Sequence, residues 1–311
     1  DAKEAAHLFD KLQQNFCKQQ EYGGKKYFCT LSAGYAAYPE DGGNYLELFK
    51  RANYSLEYSK IMGKNRMTVF SRNILADRER RLELMELLRE SVERGFAGFS
   101  IHYQPQADTL SGRLCGAEAL ARWHCGKYGD VSPGEFIPLM EQSGLIVPFG
   151  QWILSHGMAQ CLEWRRSRPD FQISVNLSYI QLSQGDFISF LRTALEENSL
   201  DPSRLIMELT ETYLAKAEED TLRLIAQMKE LGVKIAMDDF GVGYSSLFSL
   251  KSIPVDVVKI DRRFVKGITS EPFNATFIRS ITDLCHDVGR KVCLEGVETK
   301  EEYEAVRELG M

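Results

Sequence analysis

No apolar run in this sequence approaches the ~20 residues that a membrane-spanning helix needs. A signal-peptide pattern is missing as well. The chain begins at Asp1 rather than at a methionine, so the expectation is that the natural N-terminus lies upstream. Cysteines at CxxC spacing are absent. The seven present (Cys17, Cys29, Cys115, Cys125, Cys161, Cys285 and Cys293) are scattered and odd in number, the pattern of reduced, buried thiols in a cytosolic protein rather than of a disulfide framework. The five histidines form no HxxH or HxxxH pair, so a His/Cys zinc site is not expected. Excess positive charge is lacking: 38 Lys and Arg against 44 Asp and Glu leave a net charge of -6. That argues against a nonspecific DNA or RNA binder. It also means that a phosphate ligand would need local help against the overall field. Neither GxGxxG nor GxxxxGK[ST] occurs, which disfavours the nucleotide-binding open sheets.

What remains is a globular composition, 44% hydrophobic and 26% charged, in a chain long enough for two domains or one large one. Residues 1–72 read as mixed: a helix over 1–19, a strand over 26–38 followed by the turn residues Pro39, Asp41 and Gly42, a helix over 44–63, and a strand over 65–70. A piece of about 72 residues is small for an independent core. Residues 73–96 contain a charged segment in which Leu82, Met85 and Leu88 recur at three-residue steps. It reads either as a linker helix or as an ordinary amphipathic helix of the second domain.

From residue 97 to 311 the rhythm changes. Strand-like runs fall at 99–106, 114–123, 173–178, 205–211, 233–240, 255–261 and 291–298. Helical patterns lie at 133–168, 180–198, 214–231, 273–289 and 300–310. This alternation implies parallel strands joined by crossovers, in a (β/α)8 barrel or an open doubly wound sheet.

Nearly every one of these strands carries polar groups toward its C-terminal end: Glu118, Asn176, Glu208 with Glu211, Asp238 with Asp239, Lys259 with Asp261, and Glu295 with Glu298. In a barrel those ends converge on one face, which holds the site. A single acid there would be a cap; five strands ending in carboxylates are hard to explain as caps. Carboxylates so gathered raise one another's pKa unless cations are present, and an oxygen-rich set suits hard ions such as Mg2+ or Mn2+. Two such ions are a recurring device for phosphoester hydrolysis. Lys259 would steady the charge developing on a phosphate or orient a water, or it would simply pair with Asp261 two residues along. Arg122 shares the parity of Glu118 and would reach a phosphate or form a plain ion pair.

In order and spacing these motifs resemble the EAL-domain cyclic-di-GMP phosphodiesterases: Glu118-Ala119-Leu120 with Ala121-Arg122-Trp123, YQPQ at 103–106, NLS at 176–178, ELTE at 208–211, DDFGVGYSSL at 238–247, KID at 259–261 and EGVE at 295–298. The resemblance implies a modified TIM barrel that opens cyclic di-GMP to linear pGpG with two divalent cations, Mg2+ or Mn2+. It implies that Glu118, Asn176, Glu208 and Asp238 hold one ion, and that Asp238 bridges to a second near Asp239 and Glu295. Glu295 is also the candidate general base. Lys259 would touch the attacking water, Gln104 and Arg122 the substrate. Glu211 would brace the loop after Asp239, with Asp261 and Glu298 supporting the same face. The loop, Phe240 to Ser246, has Val242 where threonine is commoner. A non-catalytic cyclic-di-GMP receptor is the alternative, although none of the acidic ligands is missing. A homodimer through this domain is expected by analogy, in the cytoplasm, with any sensor or membrane region upstream.

Residues 30–42 and 48–70 resemble the C-terminal part of a GGDEF (diguanylate cyclase) domain, an α+β fold whose signature would lie before Asp1. At the other end the family continues with one more strand. The expectation is therefore a fragment of a longer protein, cut at both ends, whose own catalysis depends on what is missing.

Overall fold

The computed structural model describes residues 1–183, 186–215, 217–242, 250 and 253–310. The chain divides into two compact units, Asp1–Glu86 and Leu87–Met311.

In the first unit, α1 (Ala2–Phe16) starts at Asp1, whose side chain accepts from the Lys3 and Glu4 backbone while Glu4 reaches back to close a capping box. A hairpin of β1 (Gln20–Tyr22) and β2 (Lys25–Tyr27) turns at Gly23-Gly24. Next come β3 (Ala33–Tyr35), α2 (Tyr45–Ile61, capped by Asn44) and β4 (Met67–Val69). The strand expected over 26–38 is thus two short pieces. Its first part pairs back on β1, and its last part pairs in parallel with β4, so the chain must cross between two separate ladders. The helix α3 (Arg72–Glu93) spans the division between the units.

The second unit is built on one curled sheet in the order β12-β11-β10-β9-β8-β6-β5, with β7 beside β6. Its strands are β5 (Phe99–Ala107), β6 (Leu114–Cys125), β7 (Gly129–Val131), β8 (Gln172–Asn176), β9 (Leu205–Thr210), β10 (Lys234–Phe240), β11 (Val257–Ile260) and β12 (Lys291–Leu294). From β6 to β12 along the path every pair is parallel. Helices α4 (Pro133–Ser143), α5 (Ile146–Arg165), α6 (Tyr179–Ser183), α7 (Phe187–Asn198), α8 (Glu211–Leu214), α9 (Glu219–Glu230), α10 (Arg262–Val265), α11 (Pro272–Asp287) and α12 (Lys300–Glu308) lie between the strands or after the last. The architecture is that of a modified TIM barrel.

Two expectations need correction. β5 runs antiparallel to β6. The six residues between them form a tight turn in which Asp108 accepts from the backbone and hydroxyl of Ser111, and a turn that short cannot carry the crossover that parallel strands require. The helical pattern over 133–168 is two helices, because Gly144 adopts a left-handed conformation and ends the first.

The strands of the parallel sheet are apolar and almost fully buried: Ile173, Leu205, Met207, Leu209, Ile235, Ala236, Met237, Val258 and Ile260 line them. Burial on both faces explains the near-continuous hydrophobic runs in the sequence. Behind β5 and β6, Phe96, Phe99, Trp123, Phe136, Phe149 and Trp152 pack ring against ring. The Tyr303 hydroxyl on α12 donates to the Thr109 carbonyl in the β5–β6 turn at 2.9 Å, so the two ends of the sheet path curl toward each other. Among the described residues, no helix is long and apolar enough to cross a membrane.

Candidate active site

The centre of the site is an ammonium group surrounded by acids. Lys259 lies on β11, and its residue is only 2% exposed. Its Nζ donates to Glu208 Oε2 at 2.5 Å and to Glu118 Oε2 at 2.9 Å. Glu295 Oε1 lies 2.7 Å away and Asp238 Oδ1 3.1 Å away. These groups arrive from β6, β9 and β10, and from just beyond β12. The parallel register sets their heights: Glu208 stands beside Asn176 on β8 and Ala236 on β10, and Asp238 beside Thr210. Glu118 lies in the middle of a long strand, yet only Gly116 to Ala119 of that strand pair with β8. The rest runs on into the β6–β7 hairpin. Asn176 donates from Nδ2 to Glu118 Oε1 at 2.7 Å, tying the next strand end into the cluster.

The alternative, an ion pair between Lys259 and Asp261, is not among the ion pairs of the described residues. Asp261 lies past the end of β11, where the chain has left strand alternation. Its carboxylate caps α10 through the Arg263 backbone and pairs with the Arg263 side chain at 2.9 Å.

Four carboxylates around one ammonium leave a net negative charge when all are ionised. Burial pushes Glu208 up to about 8, opposed by Lys259 and reinforced by Glu118 and Asp238. Glu295 is also raised, first by burial and then by Asp238, against the pull of Lys259. For Lys259, burial disfavours the ammonium, but the four acids together outweigh it and hold its pKa above the usual lysine value. Asp239 is raised by burial, with Asp238 and Asp261 adding to it.

The adjacent acids Asp238 and Asp239 have a backbone explanation. Asp239 has φ 56, and the register of β10 against β11 slips between Met237 and Phe240. A bulge of this kind re-aims side chains that a regular strand would send to opposite faces. Strained residues concentrate where function over-determines the fold. Immediately beyond, the Gly241 N–H donates to Glu211 Oε2 at 2.9 Å, so Glu211 holds the start of the following loop. Gly243, Tyr244, Ser245 and Ser246 of that loop lie outside the described residues.

Gln104, exposed on β5, is the direct cross-strand partner of Glu118. Arg122 is half-buried. It donates to the Ala121 carbonyl at 2.8 Å and makes no ion pair among the described residues. Glu298 is exposed, and its backbone N–H donates to Glu302 at the start of α12.

Three positioning features escaped sequence reading. Gly296 has φ 75, and a Cβ there would collide with the Arg262 side chain, so the residue after Glu295 has room only for glycine. Gln181 fills the space that a side chain at Gly150 would occupy, and accepts from the Ser178 backbone at 3.0 Å, steadying the turn after Asn176. Cys293, a partner of Lys259 in the β11–β12 ladder, brings a thiol into this environment. Burial raises that thiol to about 12, with Lys259 opposing and Glu208, Glu295 and Glu118 adding.

As a test of fit to cations, two oxygens matter. Glu208 Oε1 is buried with no hydrogen-bond partner among the described residues. Asp238 Oδ1 has only its ion-pair contact with the ammonium. Unsatisfied carboxylate oxygens in a net-negative cluster match the donor set of a hard divalent ion. Among the described residues, no three acidic, His or Cys groups form a ready-made cage, because these oxygens converge on Lys259 instead.

The sequence profile of the EAL domain matches residues 85–311. The chain is 34% identical over 308 residues to the bifunctional diguanylate cyclase/cyclic di-GMP phosphodiesterase MucR of Pseudomonas aeruginosa, covering 99% of this chain and 45% of MucR. It is 32% identical to the cyclic di-GMP phosphodiesterase PdeR of Escherichia coli, covering 88% of this chain and 41% of PdeR. The chain therefore spans less than half the length of these relatives. Among solved structures, the PaMucR phosphodiesterase in complex with c-di-GMP superposes with a TM-score of 0.68 at 37% identity, covering 73% of this chain and 92% of that one. The EAL enzyme Bd1971, with cAMP and cyclic di-GMP bound, gives 0.69 at 30% identity, covering 77% of this chain and 66% of that one.

Proposed function

The chain belongs to the EAL domain family, and from that premise we propose that it hydrolyses cyclic di-GMP to linear pGpG, lowering a bacterial second messenger. The observation that carries this reading is the convergence of Glu118, Glu208, Asp238 and Glu295 on Lys259, in the family's motif order. Relatives named as cyclic di-GMP phosphodiesterases and a c-di-GMP complex at 37% identity support the substrate.

On this reading Glu118, Asn176, Glu208 and Asp238 hold one divalent cation, and Asp238, Asp239 and Glu295 a second, either Mg2+ or Mn2+. Bound there, the ions supply charge neutralisation for the phosphodiester and lower the pKa of water. Their entry requires the carboxylates to give up part of their contact with Lys259. Glu295 has the most exposed side chain of the four acids, 28%, so it is the one open to an incoming water. It accepts the proton of that water as the oxygen attacks phosphorus. One phosphorus–ester bond breaks, and the departing ribose oxygen takes a proton. Lys259 stabilises the negative charge on the phosphoryl oxygens. Gln104, beside Glu118, and Arg122 position the dinucleotide. Glu211, through Gly241, fixes the start of the loop after Asp239. Asp261 and Glu298 support the same face from outside the cluster.

For residues 1–72 we infer the C-terminal part of a GGDEF-like domain, followed by a linker helix over 73–96 and the EAL domain over 97–311. The match to MucR over 99% of this chain supports it. A cytoplasmic homodimer through the EAL domain belongs to the same reading.

The test is hydrolysis of cyclic di-GMP by the full-length protein with Mg2+ or Mn2+, and with EDTA, following pGpG by chromatography. Metal-dependent pGpG is the expected result. Tight binding of intact cyclic di-GMP with no product would replace the enzyme by a receptor.

A further inference from the structure

The single turn α10 touches the backbone that follows two acids of the site. Gly241 comes two residues after Asp239 and has φ 95; Gly296 comes directly after Glu295 and has φ 75. A Cβ on Gly241 would lie 2.5 Å from Phe264 Cε2, and one on Gly296 would strike the Arg262 side chain. Residues two apart on a helical turn project about 200° from each other, to nearly opposite sides. One turn of helix thus stands between the two glycines, with a side chain against each. The Phe264 ring stacks on Phe277 of α11, with centroids 4.2 Å apart and planes 16° from parallel. Phe277 in turn stacks on Phe240, the residue between Asp239 and Gly241. Phe264 also packs against the buried cluster of Ile268, Ile278 and Val306, on which Leu294, the residue before Glu295, rests as well. The ring therefore borders the chain beyond Asp239 and, through that cluster, the chain leading into Glu295. Nothing in the proposed hydrolysis gives it a part.

We propose that Phe264 is a positioning residue of the site: its ring fills the space over Gly241 while Arg262 of the same turn braces Gly296, so that α10 holds Asp239 and Glu295 at a fixed separation. The inference rests on the reading that these two acids, with Asp238, serve a divalent cation. Strands β10 and β12 are not neighbours in the sheet, because β11 lies between them. No ladder hydrogen bond therefore sets the distance between the ends that carry the two acids. α10 follows Lys259 after only Ile260 and Asp261, and Asp261 caps it. It is thus tied to the strand that lies between the two acids. Closely packed side chains transmit displacement rather than absorb it. The Gly241 N–H donates to Glu211, so a shift of Gly241 also disturbs that anchor. Catalytic groups lose effect steeply when misplaced, even by a change away from the chemistry.

The test titrates Mn2+ into the full-length protein and follows the midpoint of thermal unfolding, alongside kcat for pGpG formation. Phe264→Leu removes the ring. It is compared with Leu191→Ala, which empties a buried position on α7, a helix that packs against α5. Phe264→Leu should raise the Mn2+ concentration for half-maximal shift by about 10–100-fold and lower kcat. Leu191→Ala should lower the midpoint and leave both quantities unchanged. Gly241→Ala approaches the same contact from the other side, so the comparison survives if Phe264→Leu does not fold. It should weaken Mn2+ binding in the same way. The double variant should be weakened by less than the product of the two single effects, because leucine leaves room for the added methyl. If both site variants behave as Leu191→Ala does, the ring serves the fold alone and the proposal is overturned, while Mn2+-dependent pGpG from the parent keeps the hydrolase reading. If the parent binds Mn2+ without turning over cyclic di-GMP, the hydrolase reading falls, and the Mn2+ titrations still decide the role of Phe264. If the parent binds no Mn2+, both fall.

Discussion

Lys259 Nζ and Glu208 Oε2 are 2.5 Å apart, and both residues are at least 98% removed from solvent. One partner of a buried pair leaves the other uncompensated when removed, so the pair constrains the behaviour of the whole cluster. Its most direct consequence is a pH dependence. The Glu208 carboxyl is raised from 4.5 to about 8, chiefly by burial. A group whose folded-state pKa lies above its unfolded value contributes stability that is complete below the unfolded pKa and is lost as pH rises through the folded one. In EDTA, the midpoint of thermal unfolding should therefore fall as pH rises from 4.5 through about 8. Glu208→Gln, which carries no titrating proton, should flatten that slope. An unchanged slope in the variant would place the titration elsewhere.

Divalent cations should reverse this trend. Carboxylates must be deprotonated to serve as ligands, so ion binding competes with protons. The gain in unfolding temperature from Mn2+ should be larger above pH 8 than near pH 6, and calorimetry in buffers of different ionisation enthalpy should register proton release. Ca2+ should inhibit hydrolysis, because its longer and looser coordination suits a compact two-ion arrangement poorly. Full turnover with Ca2+ alone would count against the mechanism.

Glu295 and Glu118 should separate chemistry from assembly. Glu295→Gln keeps the shape and removes the base, so pGpG formation should drop by about 10²–10⁴-fold while cyclic di-GMP still binds. Loss of binding with metal content intact would make Glu295 a substrate ligand rather than a base. Glu118→Ala removes an oxygen partner of Lys259 and Asn176 together. It should abolish turnover and weaken Mn2+ binding in the same titration; substantial residual activity would remove Glu118 from the ligand set.

Seven of the eight strands of the barrel unit were legible, those at its centre because burial on both faces writes uninterrupted apolar runs, and their polar ends marked the site; the three-residue β7 was too short to show. Direction was less legible. Nothing in FSIHYQPQ tells whether it runs with or against its neighbour; the short turn after Ala107, closed by Asp108 and Ser111, decides it. Lys259 and Asp261 looked like partners because strand parity was extended one residue too far, into a chain that had already turned toward α10. The four acids around Lys259 come from positions as much as 141 residues away, and only tertiary closure brings them within ion-pair distance. For the Asp238-Asp239 pair the carboxylates themselves were visible, but the bulge that lets them cooperate is a backbone property.

Gly296 shows how such a backbone property can be tested. It comes directly after Glu295, has φ 75, and lies against Arg262 at the start of α10. Alanine there would meet two penalties, a left-handed conformation and a collision with the Arg262 side chain. A residue held in a sparsely populated region costs about 1–3 kcal/mol. Chain relaxation to relieve the collision would move Glu295, whose carboxylate lies 2.7 Å from Lys259. Gly296→Ala should therefore lower both the unfolding midpoint and kcat, with kcat falling even at temperatures where the variant is fully folded. If stability falls and kcat does not, the glycine serves the fold alone, and the placement of Glu295 is set by β12 rather than by the turn after it.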